Sequence, residues 1–314
     1  MKKEVEFMPT YSKDKRNSIE TIYKSLSKLK KGKWIKTKLY TQKVDRDGKK
    51  FFLPILSFKT KRKGLALWII SGIHGEEPAG PNALIKNINL LNRLSREIPI
   101  VLLPLCNPKG YALDWRYPDM KRAKKNRSVR SVGDSEHLLP GLEDNSKPRI
   151  KKAVCRESDK ITKFILKNFE KYPPALVLDF HEDKSNKGCY IYSQGKLREK
   201  DPIAREIVNI LRKKKFEMTE TGQTRFNQEI ADGIVYEVND GSIDELLAAP
   251  RIIKGKKIPG PNAKSVIVIE TTSIRVPLKR RVNAHSTILK NSKKFFQVAK
   301  GIKSESKEHK QLKE

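Results

Sequence analysis

Four runs of this 314-residue chain leave the backbone little freedom: Leu65–Ile70, Ile98–Leu105, Ala175–Phe180 and Ser265–Glu270 are almost continuously apolar. A strand with one wet face alternates apolar and polar residues, so runs of this kind are buried on both faces. Between them the apolar spacing is helical. Leu84, Ile85, Ile88 and Leu91 follow Pro81, which is expected to open a helix. Ile161, Phe164, Ile165 and Phe169 follow Ser158, and Ile203, Ile207 and Leu211 follow Asp201 and Pro202. Ser18 caps an earlier helix bearing Ile19, Ile22 and Leu26, with strand-like runs after it at 34–40 and 51–58. A last helix carries Ile288, Leu289, Phe295, Ala299 and Ile302.

Buried strands alternating with amphipathic helices predict an α/β fold: a single domain with a central mixed, largely parallel sheet flanked by helices on both faces. No internal repeat or Gly/Ser-rich linker divides the chain. One domain is expected over residues 1–302, with an N-terminal helical and strand extension over about 1–50. The charged segment 303–314 reads as a flexible tail.

Charge sets the next limit. Lys and Arg number 68 against 36 Asp and Glu, a formal net charge of +32. The basic residues are spread along the chain and aromatics are only 7%, so a nucleic-acid groove with interleaved aromatics is not favoured, although a polyanionic partner is admitted. Cys106, Cys155 and Cys189 form no Cys-x-x-Cys pair, which points to a reducing compartment. No run approaches the about 20 apolar residues of a membrane span, and a cytoplasmic location is expected.

In open α/β sheets ligands bind beyond the carboxyl ends of the strands. Three of the buried runs end there in groups suited to metal chemistry. The first leads to His74 and Glu77, the second to His181 and Glu182, and the third into Glu270. A catalytic zinc takes three protein ligands and keeps a fourth position open. His74, Glu77 and His181 supply two imidazoles and one carboxylate for one Zn2+, leaving Glu270 as a base. Glu76 is the alternative within the His74 loop. His137 is the rival third ligand, whereas His285 is expected on the solvated face of the last helix. Asp179, two residues before His181 and on the same side of its strand, is placed to orient that ring.

These residues resemble the zinc carboxypeptidase family and its relatives, the succinylglutamate desuccinylases and aspartoacylases. The likeness runs over about residues 50–300. His74-Gly-Glu-Glu77, His181 and Glu270 match its His-x-x-Glu, distant His and late-strand Glu; Asn107-Pro-Lys-Gly110 is similar to its Asn-Pro-x-Gly turn. Tyr236, six residues before Ser242 in Gly241-Ser-Ile-Asp244, resembles the segment with a mobile tyrosine. The resemblance implies a zinc-dependent amide hydrolase with Glu270, Arg116 and Tyr236 catalytic, Arg116 stabilising an oxyanion. It implies substrate binding by Asn126, Arg127, Ser242 and Asp244, with Arg130 a rival to the Asn126-Arg127 pair, which lacks the family's usual apolar approach. A metallocarboxypeptidase acting on peptides with a free C-terminus is expected first, an N-acyl amino acid deacylase second. A non-catalytic basic binding protein on the same scaffold is the third reading.

Overall fold

The computed structural model describes residues 7–30, 32–120, 131–236 and 239–302. Helix α1 (Ile19–Leu26) precedes a long hairpin of β1 (Trp34–Arg46) and β2 (Lys49–Thr60). Strand β3 (Ala66–Ser71), helices α2 (Ala79–Lys86) and α3 (Ile88–Leu94), strand β4 (Ile100–Leu103) and helix α4 (Pro108–Leu113) follow. Next come α5 (Arg156–Asn168), β5 (Pro174–Asp183), β6 (Tyr190–Ser193) and α6 (Pro202–Lys213). Short strands β7 (Thr221–Gln223), β8 (Glu229–Ala231) and β9 (Ile234–Tyr236) lead to α7 (Ile243–Ala248) and a small hairpin, β10 (Arg251–Ile253) and β11 (Lys256–Ile258). Strand β12 (Ser265–Thr272) and the long α8 (Leu278–Gly301) complete the described chain.

The main sheet runs β1-β2-β4-β3-β5-β12-β6-β9-β8-β7. Its centre is parallel, β4, β3, β5 and β12 all pointing one way. Both flanks are antiparallel at β1–β2–β4 and at β12–β6, with a further antiparallel meander at β9–β8–β7. The sheet is mixed as expected, but parallel pairing is confined to its core and to β6–β9. The reason lies in the connections. Hairpin-length turns join β1 to β2, β7 to β8 and β8 to β9, and short turns permit only antiparallel return.

The centre is buried on both faces, as its apolar runs require. Leu67, Ile69, Leu176, Leu178, Phe180, Ile267 and Ile269 join one core with α1, α2, α3, α6 and α8. Trp68, Ile70, Val101, Leu103, Val177 and Val266 face the opposite way into a second core with α5 and α7. The period of two within each strand divides its residues between the two cores.

Three local expectations are corrected. Helix α2 starts at Ala79 after Pro78, so Pro81 lies inside its first turn, where a missing N–H costs no helical hydrogen bond. Helix α5 starts at Arg156 behind Cys155, whose sulfur accepts from Ser158 N. Helix α8 begins ten residues before Ile288, at Leu278, and His285 is fully buried in it rather than solvated. Within the expected N-terminal extension, β1 (Trp34–Arg46) pairs with β2 and so joins the main sheet. The segment 303–314 lies outside the described residues.

Candidate metal centre and active site

The parallel strands end together, and their ends carry the chemistry. After β3 the chain turns at Gly72, whose φ of +65° suits a residue without Cβ. The amides of Cys106 and Asn107 donate to the carbonyls of Ser71 and Gly72, fastening this turn to the end of β4. Gly75 is required by contact: a Cβ there would stand 2.0 Å from the backbone of Gly110. That close approach lets the His74 loop lie flat on α4. Arg16 clamps the pair, donating to the carbonyls of Gly75 (3.0 Å) and Tyr111 (2.7 Å).

Glu77 stands at the centre, 4% exposed. Its Oε1 lies 2.8 Å from His74 Nδ1, and its Oε2 lies 2.8 Å from His181 Nδ1. The Glu182 amide donates to Oε2 at 3.2 Å, and Arg116 Nη1 donates to Oε1 at 2.9 Å. The His74 and His181 rings stand 5.0 Å apart. Burial would raise the Glu77 carboxyl, but the adjoining imidazoles hold it well below the carboxylate range. Burial, then Arg116, lowers His74 to about 4. Burial opposes the charge on His181, yet Asp179 and Glu77 raise it well above its ordinary value.

The donor atoms of His74, Glu77 and His181 all lie within 4.8 Å of one another. Although His74 Nδ1 is close to Glu77, it has no hydrogen bond of proper geometry and is buried. A buried ring nitrogen without a partner beside a second imidazole and a carboxylate fits a Zn2+ ligand set of two nitrogens and oxygen. Glu76 stands outside this donor group, its oxygens taken by Arg116 Nη1 at 3.3 Å and Lys184 Nζ at 3.1 Å. His137 is elsewhere, with Nε2 3.5 Å from Thr162 Oγ1 on α5.

Behind His181 the strand alternation places Asp179, whose Oδ2 is 3.2 Å from His181 Nε2. Asp244 joins this group from α7, within the same 4.8 Å limit. Burial, then the charge of Asp179, holds the Asp244 carboxyl well above the carboxylate range. The structure therefore puts Asp244 against the back of a histidine, although it also borders the cavity.

That cavity, about 740 Å³, opens over His74 and His181. Glu270 and Arg116 line it with Ser242, the N-cap of α7. Glu270 is opposite His181 in the β12–β5 register. Burial pushes its carboxyl up to about 8, with His181 opposing and Glu77 adding. Arg116 is set by the Asn-Pro turn: Asn107 caps α4 through Gly110 N and donates to the Arg116 carbonyl at 3.3 Å.

One expectation does not meet this geometry. Tyr236 is the last residue of β9, and strand alternation sends its neighbour Val235 toward Tyr190, Tyr192 and Val268. Tyr236 itself packs against the opposite core, near Arg205 and Glu199, and does not border the cavity. Asn126, Arg127 and Arg130 lie outside the described residues. Sequence reasoning also missed a wall of the cavity. Tyr190 and Tyr192 on β6 stand in register with Glu270 and Val268, and Arg225, Phe226 and Gln228 close the far side. The alternating Tyr190-Ile-Tyr192 was the available signal for the first part of that wall.

The architecture defines a class first: a carboxypeptidase-like α/β fold. Residues 63–224, just over half of the chain, match the family profile described as the succinylglutamate desuccinylase/aspartoacylase catalytic domain, and the chain belongs to that family. A protein of Shewanella denitrificans, provisionally described as a metallopeptidase, has a similar structure at 20% identity (TM-score 0.66, covering 94% of this chain and 98% of that one). The metallo-carboxypeptidase of Burkholderia cenocepacia is similar at 11% identity (TM-score 0.55, 90% and 70%). Carboxypeptidase A of Helicoverpa armigera is similar at 15% identity (TM-score 0.57, 92% and 74%). No curated protein matches the chain by sequence. Among the described residues, no helix is long and apolar enough to cross a membrane.

Proposed function

We propose that this protein is a zinc-dependent amide hydrolase, a metallocarboxypeptidase that acts on peptides with a free C-terminus. The observation that carries the reading is the convergence of His74, Glu77 and His181 beneath a cavity that Glu270 and Arg116 also line. Zinc held by these three residues would supply Lewis acidity for the scissile carbonyl and lower the pKa of water toward about 7.

Glu270 is the base. Its carboxyl stands over the same cavity, accepts a proton from the attacking water and returns it to the leaving nitrogen. Arg116 presents a guanidinium whose position Glu76 and Glu77 already fix, so it can stabilise negative charge on the carbonyl oxygen without reorganising. Asp179 and Asp244 keep the His181 ring in one orientation. Ser242, at the cavity wall, is suited to bind substrate backbone. A cavity of this size accommodates a short peptide segment.

The second reading is an N-acyl amino acid deacylase, which the family match over residues 63–224 favours. Zinc-loaded protein assayed side by side on C-terminally free peptides and N-acyl amino acids separates the two. Release of C-terminal residues, abolished in Glu270→Gln, supports the carboxypeptidase. Cleavage of N-acyl amino acids alone supports the deacylase, and cleavage of neither by zinc-loaded protein overturns both.

A further inference from the structure

We propose that Arg225, assisted by the side-chain amide of Gln228, binds the free carboxylate of the substrate. The proposal rests on the amide-hydrolase reading above and names the feature that its substrates share.

The cavity needs a cation for such a substrate, and the structure offers few. Among the described residues that line it, only Arg116 and Arg225 carry a guanidinium or ammonium group. Arg116 is engaged, donating to Glu77 at 2.9 Å and to Glu76 at 3.3 Å. Arg225 has no ion pair among the described residues. Its guanidinium carbon sits 4.8 Å from the centre of the Phe226 ring, a cation–π contact that holds the group at the mouth. Phe226 is itself 62% exposed there, an aromatic face left for a ligand.

The turn that carries both residues is braced against the wall. The Thr224 amide donates to the Gln228 carbonyl at 2.9 Å, and Asn227 N donates to the Thr224 carbonyl at 3.0 Å. Tyr192 and Thr224 hydroxyls both donate to Gln228 Oε1 at 3.0 Å. With its oxygen doubly occupied, Gln228 has only its NH2 group to offer, and that is a donor. A carboxylate is the ligand that takes a guanidinium and an amide donor together.

Asp183, the acid whose charge Arg225 influences, forms no ion pair with it among the described residues. Asp183 accepts from Ser185 N, Asn186 Nδ2 and Tyr190 OH at 2.7, 3.0 and 2.8 Å. Burial would raise Asp183, but those bonds, with Arg225 nearby, keep it below the usual carboxylate value. Asp134, Glu136, Asp240, Asp244 and Glu270 also line the cavity; of these, Glu136 and Asp240 stand around Gly241 and form the competing feature, a site for a cationic group.

The test uses zinc-loaded Glu270→Gln protein and calorimetric titration with a panel of N-acetylated dipeptides, each as the free acid and as the C-terminal carboxamide. Free acids are expected to bind roughly ten- to a hundredfold tighter than their carboxamides. Arg225→Gln is expected to erase that difference by weakening the acids alone, and Arg225→Lys to restore part of it; an unchanged melting temperature shows that the variants fold. Equal binding of acid and carboxamide, or a preference that survives Arg225→Gln, overturns the proposal. So does tighter binding of the neutral carboxamides, which would show that the acids of the cavity disfavour a free carboxylate. Hydrolysis is scored separately with Glu270 intact. Turnover without acid preference sinks the role of Arg225 alone, whereas Arg225-dependent binding without turnover of any amide sinks the hydrolase reading alone.

Discussion

Asp179 and His181 lie two residues apart on β5, and Asp179 Oδ2 approaches His181 Nε2 to 3.2 Å while Nδ1 of the same ring faces Glu77. One strand therefore carries both a candidate zinc ligand and a carboxylate placed behind its ring. Partners of this kind raise ligand basicity and hold the ring, and their loss weakens metal binding by about 10–100-fold. Asp179→Asn is expected to lower zinc affinity by that factor in a competition titration with a chromogenic chelator. Unaltered affinity would mean that Asp179 is only a buried carboxylate.

His74→Ala and His181→Ala each remove a donor. Binding to the folded state stabilises it by about 2.7 kcal/mol at a ligand concentration 100 times Kd. A chelator is thus expected to lower the melting temperature of the native protein and leave both variants unmoved. Equal zinc content in all three proteins, measured by elemental analysis, rules out this ligand set.

Glu270 borders the cavity without belonging to the donor trio. Glu270→Gln keeps the shape and loses the base, so turnover is expected to fall by about 10²–10⁴-fold with full zinc occupancy. Retained turnover would move the proton transfer to another group.

Glu182 and Arg281 form a buried ion pair that joins β5 to α8, and Glu182 Oε2 also accepts from the Ala79 amide at 2.7 Å. Burial raises Glu182 to about 7 against the pull of Arg281. Removing the cation alone leaves a buried carboxyl uncompensated. Arg281→Met is expected to cost about 3–5 kcal/mol in denaturant unfolding, with part recovered in the Arg281→Met, Glu182→Gln double variant. A loss under about 1 kcal/mol would show the pair to be dispensable.

His285 is expected to give the protein a pH dependence. It is enclosed beside Phe180 at 4.9 Å, and its Nε2 lies 3.1 Å from Thr271 Oγ1. Burial, then Arg281, lowers its pKa from 6.5 to about 3. The unfolded chain takes up this proton first as pH falls. The stability contributed is full above pH 6.5 and declines toward pH 3, by at most about 1.4 kcal/mol per pH unit. His285→Gln is expected to flatten unfolding free energy against pH between 6.5 and 4. The same slope in both proteins would place the acid sensitivity elsewhere.

Much of this was legible before the fold. Leu65–Ile70 and Ala175–Phe180 announced strands buried on both sides because they lack polar alternation. His74, Glu77, His181 and Glu270 stood out because each follows such a strand. Tyr236 and His285 were misread for a common reason: spacing along the chain does not tell which side of a short strand, or which turn of a helix, meets the core. Tyr236 ends a three-residue strand whose facing is set by its pairing with β6 and β8. His285 lies on the core-facing side of α8, with Val282, Ile288 and Leu289.

By itself the sequence determined the strands, the parallel centre of the sheet and the chemical types available at its carboxyl edge, because local periodicity and residue chemistry are properties of the chain. Only the tertiary structure decided which of those groups meet. It set Glu77 rather than Glu76 between the two imidazoles, placed Asp244 behind His181, and brought Arg225 on the β7–β8 turn to a cavity that His74, some 150 positions earlier, also lines. Such meetings depend on strand order and side-chain direction, and both are set by packing between segments far apart in the chain.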